Sequence, residues 1–249
     1  MFSLSGKTAL VTGANTGLGQ AMALALAKAG ADLALIGRTA PTNTLAEVAK
    51  TGVRSCAITV DLSEAEAAAD IIDEAASELG RVDILVNNAG IIARNDAIDF
   101  TPEDWDAVMN VNLRTVFFLS QAFARRLEAQ KKGGKIINIA SMLTFQGGIR
   151  VPSYTASKHG VSGLTKALAN EWASRGINVN AIAPGYFKTN NTAALQADEN
   201  RNAEILSRIP SGRWGSPSDL SGAVIFLASP ASDYVQGITL PVDGGWLSR

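Results

Sequence analysis

Short apolar runs alternate along the chain with longer stretches in which apolar residues recur at helical spacing. TALVT (8–12) leads into GQAMALALAKAG (19–30), then DLALIG (32–37), AITV (57–60), the helical stretch AEAAADIIDEAASEL (65–79) and DILVN (83–87). Strand, helix and strand in that order require crossover connections, which produce a parallel sheet. Farther on, Thr101-Pro102-Glu103-Asp104 reads as an N-cap, a proline at the first helical position and an acidic first turn, predicting a long helix to about residue 130. KIINIA (135–140) predicts a strand, 154–174 a helix, INVNAIA (177–183) a strand, and 185–215 a loop-rich segment that forms a substrate lid. Ser216-Pro217-Ser218-Asp219 opens another helix before a last strand near ITLPVD (238–243). The order predicts a single α/β domain, residues 1–249, with helices flanking a doubly wound parallel sheet.

Composition narrows the partners. Hydrophobic residues make up 47% of the 249 and charged residues 18%, and the net charge is -1; this describes a soluble globule with no expected nucleic-acid partner. The pairs Arg125-Arg126 and Lys131-Lys132 fall at the end of the long predicted helix, where cations complement the dipole. One cysteine, Cys56, allows no intramolecular disulfide, and one histidine, His159, leaves too few ligands for zinc, so no metal is expected. Cys56 lies in an apolar run and reads as core. The start MFSLSGKTALVTG lacks a charged leader before a long apolar run, and no stretch of about 18 apolar residues occurs. Both features predict a cytoplasmic protein without a membrane segment.

Candidate chemistry begins at Thr12-Gly13-Ala14-Asn15-Thr16-Gly17-Leu18-Gly19, between a strand and an alanine-rich helix. Glycines there let the backbone turn tightly and approach a pyrophosphate, whose charge meets free N–H groups and the positive end of the helix. Gly13, Asn15, Thr16, Gly17, Leu18 and Gly19 are therefore candidate dinucleotide-binding residues. An acidic residue about 20 positions later would receive the ribose hydroxyls of NAD. Here the second strand ends in Ile36-Gly37-Arg38-Thr39. Arg38 either pairs with the 2′-phosphate of NADP or covers the adenine face, so NAD(H) and NADP(H) both stay open.

Tyr154 and Lys158 stand one helical turn apart and share a face. An ammonium about 4 Å from a phenol is worth roughly 1 to 4 kcal/mol, enough to lower the phenol pKa from ~10 toward the range of a general acid/base. Ser141 ends the run KIINIAS, at the carboxyl edge where open α/β sheets bind ligands, so its hydroxyl can stabilise charge on a substrate oxygen. His159, one position past the lysine, is expected to point about 100° away. GVSGL (160–164) lacks the final glycine of a nucleophile elbow, which disfavours a serine hydrolase.

Four motifs follow one another across the whole chain: the turn spaced G-x-x-x-G-x-G, Asn87-Asn88-Ala89-Gly90, Ser141 thirteen residues before Tyr154-x-x-x-Lys158, and Pro184-Gly185. In these the sequence resembles the classical short-chain dehydrogenases/reductases. The resemblance implies a Rossmann fold and NAD(P)-dependent hydride transfer at a CH–OH or keto carbon, with Asn112, Ser141, Tyr154 and Lys158 catalytic. It implies that Asn112 holds a water linking Lys158 to solvent and that Lys158 binds the nicotinamide ribose. Asn110 competes within MNVNLRT, and the family pattern selects the asparagine before Leu113 to Leu119. The resemblance also implies cofactor contacts at Asp61, Leu62, Asn88, Ala89, Gly90, Tyr154, Lys158, Pro184, Gly185 and Thr189. It further implies a homotetramer built through the helices near 103–130 and 154–174 and the last strand.

SMLTFQGGIRVPSY places Gln146 and Arg150 between the serine and tyrosine, and GIIARND places Arg94 beyond the asparagine motif. Arginines near a hydride-transfer site suit a carboxylate, hence a small sugar acid; the competing expectation pairs each with Asp96, Asp99 or another surface acid. The runs SMLTFQGGIRVPSYTASK, NVNAIAPGY, TNNT and ILSRIPSGRWGSPSDL through VDGGWLSR are similar to family members that act on deoxy hexonates with NAD(H). That similarity implies substrate contacts at Gln146, Arg150, Tyr186 and Asn191, beside Arg94 and Ser141. The alternatives are a 3-oxoacyl carrier-protein reductase, another sugar or polyol dehydrogenase, and a noncatalytic dinucleotide sensor.

Overall fold

A computed structural model describes residues 1–63 and 67–248. Strands β1 (Thr8–Thr12), β2 (Asp32–Gly37), β3 (Ser55–Thr59), β4 (Ile84–Asn87), β5 (Gly134–Ile139), β6 (Ile177–Pro184) and β7 (Thr239–Val242) form one sheet in the order β3-β2-β1-β4-β5-β6-β7. Every neighbouring pair is parallel. The helices are α1 (Gly17–Lys28), α2 (Thr42–Ala49), α3 (Ala68–Leu79), α4 (Pro102–Met109), α5 (Thr115–Ala129), α6 (Pro152–Trp172), α7 (Ala193–Ala197), α8 (Glu199–Arg208) and α9 (Ser221–Ala228). The fold is a Rossmann-like α/β domain. The strand order reverses between β1 and β4, the crevice where such sheets bind ligands.

Alternation along β1 shows why both faces are covered. Ala9 and Val11 join a core cluster with Met22 and Leu26 of α1 and Val224 and Leu227 of α9. Leu10, pointing the other way, joins Ile72 of α3, Phe123 of α5 and Trp172 of α6. At the sheet centre, Asn87 Nδ2 donates to Ser120 Oγ at 3.1 Å and Asn138 Oδ1 at 2.9 Å, and Asn138 Nδ2 donates to Thr165 Oγ1 at 2.9 Å. These bonds satisfy polar groups that would be costly to bury alone.

The periodicity locates β1 and β2 to the residue. Residues 65 and 66 of the helix expected over 65–79 lie outside the described residues, and α3 runs from Ala68 to its left-handed cap at Gly80. Thr101 Oγ1 accepts from Asp104 N at 3.1 Å, as its capping role requires. The long helix it opens is interrupted, however, by a π-helical turn over Asn110–Arg114.

Two expectations are corrected. The stretch 185–215 contains α7 and α8 rather than loops alone. ENRNAEILSR is mostly polar, and its few apolar residues form a face only against a partner: Ile205 is buried with Ile209, Trp214, Trp246 and Met142. Cys56 is half-buried instead of core, because β3 is an edge strand with a neighbour on one side only. Burial nevertheless pushes its thiol up to about 11. No helix among the described residues is long and apolar enough to cross a membrane.

Candidate active site

The chain leaves β1 through Gly13 (φ 65°) and enters α1 at Gly17 (φ 60°), conformations that glycine adopts at little cost. Gly19 serves close approach instead. A Cβ there would stand 2.2 Å from the Gly13 carbonyl oxygen and 2.4 Å from Asn88 Nδ2. Thr16 makes no side-chain cap on α1, and the first turn holds no acidic residue, so the leading N–H groups and the helix dipole suit an anion. A cleft of about 420 Å³ lies beside them, lined by Thr16, Gly17, Gln20, Lys188, Thr189 and Asn190. These residues fit a dinucleotide pyrophosphate.

The end of β2 is shaped by Asn15, whose Nδ2 donates to the Thr39 carbonyl at 2.6 Å and Thr39 Oγ1 at 3.1 Å. Its Oδ1 lies where a Cβ on Gly37 would be, 1.8 Å away, so Gly37 must be bare. Arg38 follows, exposed. Hydrogen bonds from Ser63, with a smaller contribution from the Arg38 charge, hold the Asp61 carboxyl below its ordinary value. Across the crevice Asn88 Nδ2 donates to the carbonyls of Thr12 at 2.9 Å and Gly13 at 3.2 Å. Thr12 Oγ1 accepts from the N–H groups of Asn88 at 2.9 Å and Ala89 at 3.0 Å. Asn88 thus fastens β4 to the glycine turn. The side chains of Leu18 and Leu62 pack into or against the core, which leaves only their backbone to face the crevice.

The second half of the crevice carries the hydroxyl and ammonium groups. Lys158 is 4% exposed, its Nζ donates to the Ile139 carbonyl at 2.6 Å, and it stands 5.5 Å from the centroid of the Tyr154 ring. Ser141 caps the turn at the carboxyl end of β5, its Oγ accepting from Leu143 N at 3.2 Å, and its hydroxyl favours the ionised form of the Tyr154 phenol. Thr144 Oγ1 donates to the Lys158 carbonyl at 3.0 Å, tying the β5 end to α6. Asn112 is fully buried in the π turn: its Oδ1 accepts from Ile91 N at 2.9 Å, and its Nδ2 donates to Ile91 O at 3.0 Å and Ser157 Oγ at 3.3 Å. Ser157 Oγ donates to the Tyr154 carbonyl at 2.8 Å, completing a path from Asn112 to the tyrosine turn. π turns are rare and concentrate at functional sites, because the extra residue re-aims a side chain. His159 is exposed and contacts Thr155 O at 3.0 Å on its own helix.

The electrostatics correct one expectation. Burial raises the Tyr154 phenol, opposed by the Ser141 hydrogen bond and the Arg94 charge, and burial lowers Lys158 to about 8. The lysine does not depress the phenol in the protein alone. Its ammonium faces the Ile139 carbonyl and the ring rather than the hydroxyl, and desolvation outweighs the neighbouring charges.

On the substrate side, Arg94 donates from Nη2 to the Asn191 carbonyl at 3.4 Å while its charge reaches Tyr154. Arg150 takes the competing role: its Nε pairs with Asp96 Oδ1 at 2.9 Å, and both side chains are exposed. Its backbone is left-handed, φ 63°, and the Arg150 carbonyl accepts from Asn95 N at 3.1 Å. Gln146 Oε1 accepts from Trp246 Nε1 at 3.2 Å, and Tyr186 packs between Trp214 and Trp246 at ring distances of 5.4 and 4.8 Å.

A family model described as enoyl-(acyl carrier protein) reductase matches residues 13–247. The chain is 61% identical, over all of its length and 98% of the relative, to 2-dehydro-3-deoxy-D-gluconate 5-dehydrogenase of Escherichia coli (strain K12). The chain belongs to the short-chain dehydrogenase/reductase family. It is an oxidoreductase of CH–OH and keto groups. Among solved structures, it is 59% identical to a candidate 2-deoxy-D-gluconate 3-dehydrogenase from Agrobacterium tumefaciens with bound NADP, with a TM-score of 0.95 over 100% of this chain and 99% of that one. A gluconate 5-dehydrogenase from Burkholderia cenocepacia J2315 in complex with NADP and tartrate is 42% identical, with a TM-score of 0.93 over 100% and 98% of the two chains.

Within this dehydrogenase fold the motif residues converge on one crevice although more than a hundred residues separate the glycine turn from Tyr154. Gly90 faces Asn112, whose Oδ1 would lie 3.3 Å from an added Cβ. Pro184 ends β6, and Gly185 N donates to the Val242 carbonyl at 2.9 Å. Thr189 approaches Gly17 from the 185–215 segment, its Cγ2 3.8 Å from where a Gly17 Cβ would stand. Thr12 and Trp246 escaped the sequence reading. A threonine directly before Gly13 was the available sign for the first; for the second nothing local exists, since its partner is 100 residues away.

Proposed function

We propose that this dehydrogenase interconverts a keto and a hydroxyl group on a deoxy hexonate, as 2-dehydro-3-deoxy-D-gluconate 5-dehydrogenases do. The observation that carries the reading is Arg94: its Nη2 donates to the Asn191 carbonyl at 3.4 Å, at the edge of the 185–215 segment, and its positive charge is felt at the Tyr154 phenol. A carboxylate on the substrate meets that charge. Arg150 contributes by leaving Asp96 when the acid binds, and Gln146, Tyr186 and Asn191 complete the pocket under a lid over 185–215.

The bound nicotinamide supplies or takes the hydride. Ser141 and Tyr154, whose hydroxyls interact in the crevice, both address the substrate oxygen. With its pKa raised, Tyr154 holds its proton at neutral pH and delivers it to a carbonyl being reduced. In the oxidative direction the same hydroxyl must first lose that proton, and Lys158 beside it stabilises the phenolate once the crevice is filled. Asn112 holds the turn that carries both.

Arg38, exposed where NAD-specific chains carry an acid, lets the enzyme accept NADP(H) as well as NAD(H), in keeping with the NADP bound by both structural relatives. The reading includes a homotetramer: Trp105 on α4, and Tyr234 and Ile238 ahead of β7, expose apolar surface at the helices and strand concerned. It also includes a cytoplasmic setting, in keeping with the unpaired Cys56.

The test follows the absorbance of reduced nicotinamide with NAD⁺ and NADP⁺, each against 2-deoxy-D-gluconate, D-gluconate and a neutral sugar. Turnover confined to the acids is expected. Turnover of the neutral sugar alone would remove Arg94 from substrate binding.

A further inference from the structure

The last strand ends at Val242, and the turn Asp243-Gly244-Gly245 that follows it leads into Trp246. Asp243 accepts from Gly245 N through Oδ1 and from Leu247 N through Oδ2, both at 2.9 Å. Gly244 (φ 65°) and Gly245 (φ 91°) take left-handed conformations that side chains resist. The turn delivers Trp246, 4% exposed, beneath the pocket. There the indole meets three groups: Gln146 Oε1 accepts from Nε1 at 3.2 Å, the Tyr186 ring lies at 4.8 Å, and the Arg208 guanidinium of α8 stacks 4.0 Å from the Trp246 ring centroid.

An indole N–H donates and never accepts, so it can face only the oxygen of a carboxamide. We infer that Trp246 is a positioning residue that fixes the Gln146 amide with its N–H₂ directed to the substrate, and that Arg208 makes this orientation depend on the seating of the lid. The Nε2 hydrogens meet no acceptor among the described residues, which leaves them for an oxygen of the substrate, carboxylate or hydroxyl. A free carboxamide would present either end, and its oxygen would repel an acid. The indole removes that ambiguity. The cation stacked on Trp246 withdraws electron density from the ring and strengthens the N–H as a donor. The inference rests on Gln146 being a substrate contact, and the variants below separate the two.

Trp246→Phe keeps a stacked ring and removes the donor. It is expected to raise KM for the sugar acid about fivefold, with kcat and the cofactor KM unchanged, in line with loss of one neutral hydrogen bond. In a Gln146→Ala background the same substitution is expected to have no further effect. Equal increases in both backgrounds would mean that Trp246 only packs, and would overturn the inference. Gln146→Glu, which needs no change in packing, still accepts from the indole but offers no donor; it is expected to raise KM for the acid at least tenfold. An unchanged KM in Gln146→Glu would show that the oxygen face serves the substrate, again overturning the inference. If Gln146→Ala itself leaves KM unchanged, the substrate-contact assignment falls and the positioning role with it; if it raises KM while Trp246→Phe does not, only the positioning role falls.

Discussion

Tyr154 and Lys158 carry opposite burdens from the same burial. The phenol gains stability as a neutral acid, while the ammonium is destabilised, its pKa lowered from 10.5 to about 8. The sign of the second effect on stability is definite. As pH rises through about 8 toward 10.5, the unfolded chain keeps a proton that the folded chain has released, so Lys158 contributes stability with rising pH. The melting midpoint of the wild type is therefore expected to gain on that of Lys158→Met between about pH 7 and 10, measured by thermal unfolding without cofactor. A constant difference would place the ammonium in water. Tyr154→Phe removes the transferable proton and keeps the ring; turnover is expected to fall at least a thousandfold, within the range attributed to general acid/base catalysis with hydroxyl stabilisation, while the midpoint shifts little. Retained turnover would reassign the proton donor. At this scale the spacing brought the two side chains together, as the sequence reading expected, but not with the electrostatics it expected, because helical spacing does not say what each head group faces.

Among the elements, the glycine turn separates two reasons for the same residue. Gly17→Ala meets Thr189 at ordinary contact distances, Cγ2 at 3.8 Å and Cβ at 4.0 Å, so its cost is the left-handed backbone, about 1 kcal/mol. Gly19→Ala places a Cβ 2.2 Å from a carbonyl oxygen in an ordinary helical conformation, so the turn must open. Gly19→Ala is expected to raise the cofactor Kd at least tenfold and to destabilise the fold by about 1–3 kcal/mol, read by fluorescence titration with NADPH and by thermal unfolding. Similar, small effects at both positions would mean that α1 does not pack against the turn as described. The elements that sequence periodicity missed share a physical cause. The π turn Asn110–Arg114 continues a helical pattern and changes it by one residue, and α2, half of it polar, and α8, mostly polar, are short helices whose apolar faces gain meaning only from a partner.

For the whole molecule, assembly is the remaining consequence. Four chains of 26.0 kDa should sediment as one species near 104 kDa, and Tyr234, which stands fully exposed on the single chain, should become protected in it. A boundary at the mass of one chain would remove the tetramer and leave Tyr234 and Ile238 as surface. Apolar runs, helical periods and the proline-acid helix start are local signals, and they determined the parallel α/β fold; the turn glycines and the ordered motifs carried the resemblance to the short-chain dehydrogenases/reductases. Other features join residues far apart in the chain: Asn88 to Thr12, Asn112 to Ile91 and Ser157, Arg150 to Asp96, and Trp246 to Gln146. Only the tertiary structure decided these, since which polar group satisfies which, and how far burial moves a pKa, depends on neighbours that no local spacing specifies.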